Sequence, residues 1–389
     1  MSFSLTTPPA AGATTASIPA SRASVQTGVT TLTAYDDSDL FSTSIPAALG
    51  TNLLSTPVKL DEKFVGVHVP AASAYLYPGG WNRSHDMAPR WNQMNPSSGV
   101  FVDAGLGAWL DACKAAQQET VYTIFGTPTW ASARPAETGD PYGTLGAIAE
   151  PTSMATLSAF VTWLMQTYGS RIDYLEIWNE PKYSTAGGSY FSGTAAKLAE
   201  MARTIVTAAR AVKPAIKTMG VGCTGVLFNS AGSGVGYTDN FLAASDGASG
   251  FGKDWIDIIS VHTYAHDGTN DITQLANTKA WIDAIKTTNG VTSKPVWSTE
   301  FSYITPDFSN YTGPETGRAL ALVRYLLWNV IGGMARAALY PLGWNPSAER
   351  ARLWNGYAAM LNGATVSCIN RVGNSPQLAC VINGRNYLF

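Results

Sequence analysis

Charged residues make up only 13% of the 389 residues, against about a quarter in ordinary globular chains. A net charge of −2 provides no field to hold nucleic acid or an anionic membrane surface at long range. No apolar run approaches the ~20 residues needed to span a bilayer, so membrane insertion is not expected. Cysteine is scarce as well: Cys113, Cys223, Cys368 and Cys380 are the four in the chain. They form no CxxC pair or Cys/His cluster with metal-ligand spacing. Cys113 lies in an apolar helical stretch and reads as a buried free thiol. Cys368 and Cys380 flank a turn-like NRVGNSPQ segment. They could face each other across a hairpin and form a disulfide, which would require an oxidising compartment.

The chain is instead rich in apolar residues (46%), among them 12 Trp, 17 Tyr and 13 Phe. A sizeable core is therefore easy to build. Residues 1–25 are Ala/Ser/Thr/Pro-rich without a period and read as a flexible tail. Residues 26–60 hold short β-like pieces broken by Pro and Asn. From Phe64 onward, short apolar runs alternate with helical patterns. The runs are 64–70, a weak one near 81–85, 120–126, 173–179, 217–222, 256–262, 295–301 and 336–342. The clearest helical stretches are 105–118, 152–168, 193–212, 273–289 and 315–331. This count and order predict an α/β fold, a (β/α)8 TIM barrel over residues 61–356. Residues 357–389 look β-rich and would join 26–60 in a small side region. An open doubly wound sheet is the alternative, but no GxGxxG or P-loop follows the first strand.

Barrel enzymes carry their chemistry at the C-terminal ends of the strands. Glu180 closes the fourth run (EIWNEP) and Glu300 the seventh (WSTEF). Each follows an apolar run, where a lone carboxylate would be costly unless paired or hydrogen-bonded. On a closed barrel of eight strands, the ends of strands four and seven face each other across the mouth. Such a pair suits glycosidic bond cleavage. One carboxyl must be protonated to assist the leaving oxygen, and the other ionised to attack the anomeric carbon. Mutual repulsion at ~5–5.5 Å raises one pKa and keeps the acid protonated. Two unrelated surface glutamates remain the bland reading.

The segments GVHV (66–69), RSHD (83–86), RWNQMNPSSGVF (90–101), GTPTWAS (126–132), EIWNEP (176–181), YFSGT (190–194), VHTY (261–264) and KPVWSTE (294–300) resemble those of clan A glycoside hydrolases. Within that clan they are similar to family 39-like enzymes, a group that includes β-xylosidases, α-L-iduronidases and bacterial exopolysaccharide endoglycosidases. The likeness runs from about Phe64 to Cys380. TPxWAS and YFSGT lean toward the exopolysaccharide-cleaving branch. The resemblance implies Glu180 as acid/base and Glu300 as nucleophile of a retaining enzyme. It also implies that Asn179 bonds the sugar 2-hydroxyl and that Arg83 sits beside the nucleophile and holds it ionised.

Further residues fit the same pocket. His262 and Tyr264 share a side of strand six by alternation, and a tyrosine hydroxyl there could serve the nucleophile; a core His and a rim Tyr are the plain alternative. His68 ends strand one and would line the pocket floor or be purely structural. Trp130 and Trp344 follow strands three and eight, where a flat indole can stack on a sugar face. Trp91, Tyr183, Tyr190 and Trp354 are further cleft candidates. Trp178 and Trp297 are expected to pack outward against helices. Asp86 could touch substrate, whereas Glu176 lies too far down its strand to reach the mouth.

The expected substrate is an oligo- or polysaccharide, most simply a bacterial exopolysaccharide or capsule cut internally. An exo-acting β-glycosidase and a non-catalytic carbohydrate-binding barrel of a surface or phage assembly are the alternatives. No cofactor or metal is called for, since His68, His85, His262 and His266 give no HxH pair on the first strand. The expected setting is extracellular or periplasmic, or virion-associated, although the first residues lack a basic n-region and an apolar h-region. Oligomeric state is open.

Overall fold

The apolar runs after Phe64 become strands because both their faces are buried, one toward a barrel interior and the other toward helices. The computed structural model describes residues 3–6, 29–34, 43–181, 184–185, 188–224, 235–264, 271–302, 315–340, 348–372 and 378–388. Eight parallel strands close on themselves. They are β1 (Val65–Val67), β2 (Trp81–Arg83), β3 (Glu119–Ile124), β4 (Tyr174–Ile177), β5 (Lys217–Thr224), β6 (Ile258–His262), β7 (Val296–Phe301) and β8 (Arg336–Leu339). Strands adjacent in sequence are adjacent in space, and β8 returns to β1 through Ala337↔Val65 and Leu339↔Val67. This is the expected (β/α)8 TIM barrel.

Beyond the single turn Trp91–Met94, seven α-helices among the described residues follow strands β2 to β8 in turn: α1 (Leu106–Ala115), α2 (Met154–Tyr168), α3 (Ala195–Val212), α4 (Val235–Ala243), α5 (Asp271–Thr288), α6 (Glu315–Ile331) and α7 (Ala348–Leu361). In α3 the buried side chains Leu198, Met201, Ala202, Ile205, Val206 and Ala209 recur at helical spacing, so one stripe faces the barrel. The hydroxyl of Thr194 accepts from the Lys197 N–H and caps its start. Burying each large side chain of this kind contributes roughly 1.5–3 kcal/mol.

Inside the barrel, Trp81, Val121, Met219, Ile258, Trp297 and Ala338 form a floor layer. The Trp81 and Trp297 rings lie 5.2 Å apart. Gly66 on β1 has no room for a side chain, because a Cβ there would sit 2.3 Å from the Trp81 indole. Below, the Arg336 guanidinium lies 4.4 Å from the Trp297 ring centroid and pairs with Glu119 at 2.5 Å and Asp61 at 3.0 Å. The N-terminal end is thus closed, and chemistry is confined to the C-terminal end. Trp297 therefore points into the barrel and not outward as expected. The register of β7 slips between Ser298 and Phe301, so Trp297 and Thr299 share the inner face and Glu300 still turns inward to Arg83.

Both termini contribute to a separate antiparallel sheet. Thr365–Val372 pairs with Leu378–Ile382, with Val58–Lys59 and with Thr43–Asn52. Val29–Ala34 and then Phe3–Thr6 extend the Thr43–Asn52 side, so the expected tail holds at least one strand. Helix α7 runs on to Leu361, past the expected boundary at 357. One face of the sheet, with Val366, Ile369, Cys380 and Ile382, packs against Leu326 and Val330 of α6 and Leu361 of α7. The expected disulfide does not form, as all four cysteines are free and buried. Cys368 stands opposite Val381 and Cys380 opposite Ile369. This offset of one residue sends the two thiols to opposite faces of the sheet.

Candidate active site

Arg83 ends β2 with its side chain wholly buried, a position tolerable only if its charge and donors are matched. They are matched by three side chains on or just past two strands, β4 and β7. Nε donates to Glu176 at 2.5 Å, Nη1 to Glu300 at 2.7 Å and Nη2 to Asn179 Oδ1 at 2.7 Å. Glu176 also accepts from Thr123 at 2.8 Å and Thr299 at 2.9 Å. Burial works against ionisation of Arg83 and Glu176 alike. Their mutual attraction wins, raising the Arg83 pKa and holding Glu176 below the usual carboxylate range. Glu176 does lie below the mouth, as expected, but it anchors the arginine that reaches the mouth. Its role was readable in principle, because an arginine on an inward strand position requires a buried carboxylate nearby.

Above Glu176 the chain kinks. Trp178 (φ 67°) and Glu180 (φ 43°) occupy the left-handed region, which costs roughly 1–3 kcal/mol per residue and persists only when its surroundings enforce it. Here the Trp178 N–H bonds the Ile124 carbonyl at 3.0 Å, and the Glu180 N–H bonds the Gly222 carbonyl at 3.1 Å. The Trp178 indole donates to the Tyr190 carbonyl at 2.7 Å and packs outward on Phe125 and Phe191. Gly222 (φ +60°) is itself required, since a Cβ there would meet His262 Nε2 at 3.1 Å and Arg83 Nη2 at 3.4 Å.

The kink brings Glu180 to Glu300. One oxygen of each, with a ring nitrogen of His262, lie within 4.8 Å of one another. Glu180 Oε1 bonds His262 Nδ1 at 2.6 Å, and the same nitrogen lies 3.5 Å from Glu300 Oε2. Glu300 accepts from Arg83 on Oε2 and from the Tyr264 hydroxyl on Oε1. The two carboxylates are nearly buried, at 6% and 7% exposed, so their interaction is not quenched by water. Burial and the neighbouring Glu180 charge lift the Glu300 pKa, against the opposing pull of Arg83 and the Tyr264 hydroxyl. Burial also keeps His262 neutral, lowering its pKa to about 4, and pushes Tyr264 well above its ordinary value. Among the described residues, Glu180, His262 and Glu300 are the group that could grip a metal ion. The Nδ1 of His262 already holds a hydrogen bond to Glu180 that an ion would have to displace.

His68 lies just beneath. Its Nε2 contacts the Thr299 carbonyl at 2.5 Å, its ring meets Tyr340 edge-on at 5.4 Å, and burial holds its pKa well below normal. Trp130 is 38% exposed, with its indole N–H on the Asn95 carbonyl at 2.8 Å. Trp344 and Tyr183 lie outside the described residues. Trp91 and Trp354 are core, not cleft: Trp91 stacks on Phe160 at 5.6 Å and Trp354 packs against Phe301. Tyr190 is half-buried, against Phe125 and Tyr142.

Residues 152–318, which include Glu180, His262, Tyr264 and Glu300, match a family model described as glycosyl hydrolase catalytic core. No curated protein matches the sequence. The fold is similar to that of a glucosidase from Croceicoccus marinus (15% identity, 86% of this chain and 75% of that one, TM-score 0.57). It is also similar to a family 39 glycoside hydrolase from Bacteroides cellulosilyticus WH2 (16%, 90% and 76%, 0.52) and a family 39 β-xylosidase from Caulobacter crescentus (15%, 84% and 77%, 0.53). With its closed barrel, its match to a glycosyl hydrolase catalytic core and its paired carboxylates, the protein is a glycoside hydrolase whose substrate is a carbohydrate.

Proposed function

We propose that the protein cleaves a polysaccharide with retention of anomeric configuration, Glu300 acting as nucleophile and Glu180 as acid/base. The observation that carries this reading is the approach of the two carboxylates to within 4.8 Å. Inverting enzymes need room for a water and separate the pair by ~6.5–9.5 Å, whereas retaining enzymes hold it at ~5–5.5 Å. Roles follow from the hydrogen bonds. Two donors, Arg83 and Tyr264, grip Glu300, and both bonds favour its ionised form. Glu180 has the neutral His262 as its partner and can hold the proton that the leaving oxygen receives. Glu300 attacks the anomeric carbon while Glu180 gives that proton. Glu180 then deprotonates a water, which displaces Glu300 and frees the sugar. With Arg83 on its Oδ1, Asn179 keeps its amide N–H groups for a sugar hydroxyl.

An internal cut in a bacterial exopolysaccharide remains our preferred substrate reading, supported by the TPxWAS and YFSGT segments and by the exposed indole of Trp130. The glucosidase and β-xylosidase among the similar folds favour an exo-acting β-glycosidase as the second reading. We further propose an extracellular, periplasmic or virion-associated setting. The test is reducing-end release from a panel of bacterial exopolysaccharides, xylan and aryl β-glycosides. We expect wild type to act and Glu300→Gln and Glu180→Gln to lose roughly a thousandfold or more in kcat, in line with the loss of a covalent nucleophile or its acid partner. Equal release by wild type and Glu300→Gln would overturn the mechanism.

A further inference from the structure

Asp86 follows β2 at the barrel mouth and has no part in the mechanism above. Its backbone is left-handed, with φ 63°, an uncommon conformation for a residue with a side chain. Its two carboxylate oxygens accept from two phenols reaching over from other loops, Tyr142 on Oδ1 and Tyr340 on Oδ2 at 2.9 Å. The Arg90 guanidinium lies 3.6 Å from the Tyr142 ring centroid, where a cation makes the phenol a better donor. His85, buried and neutral, bonds the Tyr142 hydroxyl at 2.9 Å. Partial desolvation works against the charge of Asp86, yet the two phenols and the nearby Arg83 charge hold its pKa below the usual carboxylate range. Two hydrogen bonds thus fix the carboxylate in place and favour its ionised form.

This carboxylate connects through Tyr340 toward the catalytic pair and borders a cleft on its other side. On one side Tyr340 packs on His68, which bonds the Thr299 carbonyl next to Glu300, and the Tyr340 hydroxyl feels the charges of both Asp86 and Glu300. On the other side Asp86 lines a cleft of 480 Å³ with Pro70, Met87, Arg90, Gln93 and Tyr142. Each carboxylate oxygen retains a free lone pair beyond its phenol bond. A fixed carboxylate with spare acceptor capacity recognises hydroxyl donors and repels a second carboxylate.

We infer that Asp86 is a specificity-determining residue that reads the hydroxyls of a neutral sugar unit beside the cleaved bond and rejects an acidic sugar there. The inference rests on the carbohydrate reading of the site but not on its catalytic roles. It is therefore tested by binding. Affinities of glucose, galactose, mannose, xylose and glucuronate are measured by NMR titration on the inactive Glu300→Gln protein, with and without Asp86→Asn. Asparagine tolerates the left-handed backbone and keeps the shape while removing the charge. Tyr340→Phe, which keeps the carboxylate and removes one phenol, serves as the second variant.

We expect at least one neutral sugar to bind ~10-fold or more tightly than glucuronate, the range expected of one charge-assisted hydrogen bond. Asp86→Asn should weaken that sugar and abolish the discrimination, and Tyr340→Phe should preserve it. No binding of any neutral sugar, or discrimination unchanged in Asp86→Asn, would overturn the inference. Hydrolysis surviving Glu300→Gln would count against the proposed mechanism and leave this comparison intact.

Discussion

At the scale of single residues, the account turns on how Glu300 is held. Burial raises its pKa, and the Tyr264 hydroxyl is one of the groups that oppose the rise. Removing that hydroxyl in Tyr264→Phe should lift the carboxyl further. The ionised fraction is lost as pH falls through the raised value, so the acid limb of kcat/KM should move upward by about one unit, with roughly tenfold lower kcat. A pH–rate profile checks this, and an unmoved acid limb would contradict the assigned donor. The pair itself was legible in the sequence, because Glu180 and Glu300 each end an apolar run at a strand tip. Tyr264 and Arg83 were legible beside them, one by alternation and the other by resemblance. The bond from His262 to Glu180 was not, since alternation says which side a ring faces and not which carboxylate it meets.

At the scale of elements, β2, β4 and β7 are tied together through one buried arginine. Glu176→Gln keeps the shape but leaves Arg83 short of a counter-charge in the interior. Stability should fall by about 3–5 kcal/mol, read as the denaturant midpoint, whereas a change within 1 kcal/mol would show that Glu300 alone suffices. Gly66→Ala tests the floor layer. Its Cβ would meet the Trp81 indole at 2.3 Å, so we expect a loss of roughly 1–3 kcal/mol from overpacking, against the gain Ala brings where space is open. All eight strands and five of the helices were legible, because a doubly buried strand flanked by amphipathic helices leaves a strong pattern. What failed did so for local reasons. The slip in β7 let Trp297 and Glu300 both turn inward, and a one-residue register offset parted Cys368 from Cys380.

At the scale of the whole molecule, pH should act through buried rings as well as carboxylates. His85 and His262 are held neutral by burial, with pKa values lowered to about 3 and about 4, and His68 is lowered too. In the unfolded chain each would titrate near 6.5. Below that pH the unfolded state binds more protons than the folded state, so stability falls. The loss approaches roughly 1.4 kcal/mol per pH unit for each ring until its folded pKa is reached. Glu176, whose folded pKa is lowered, adds a further loss only in stronger acid. Melting temperatures measured from pH 7 to pH 4 should therefore decline steadily from about 6.5, and a flat profile down to pH 5 would contradict the buried neutral histidines. The central claim, that two carboxylates converge at the barrel mouth to form and break a glycosyl–enzyme bond, is tested most directly by proton NMR of the first-formed product. Retention of the substrate's anomeric configuration before mutarotation is the predicted result, and an inverted first product would contradict it.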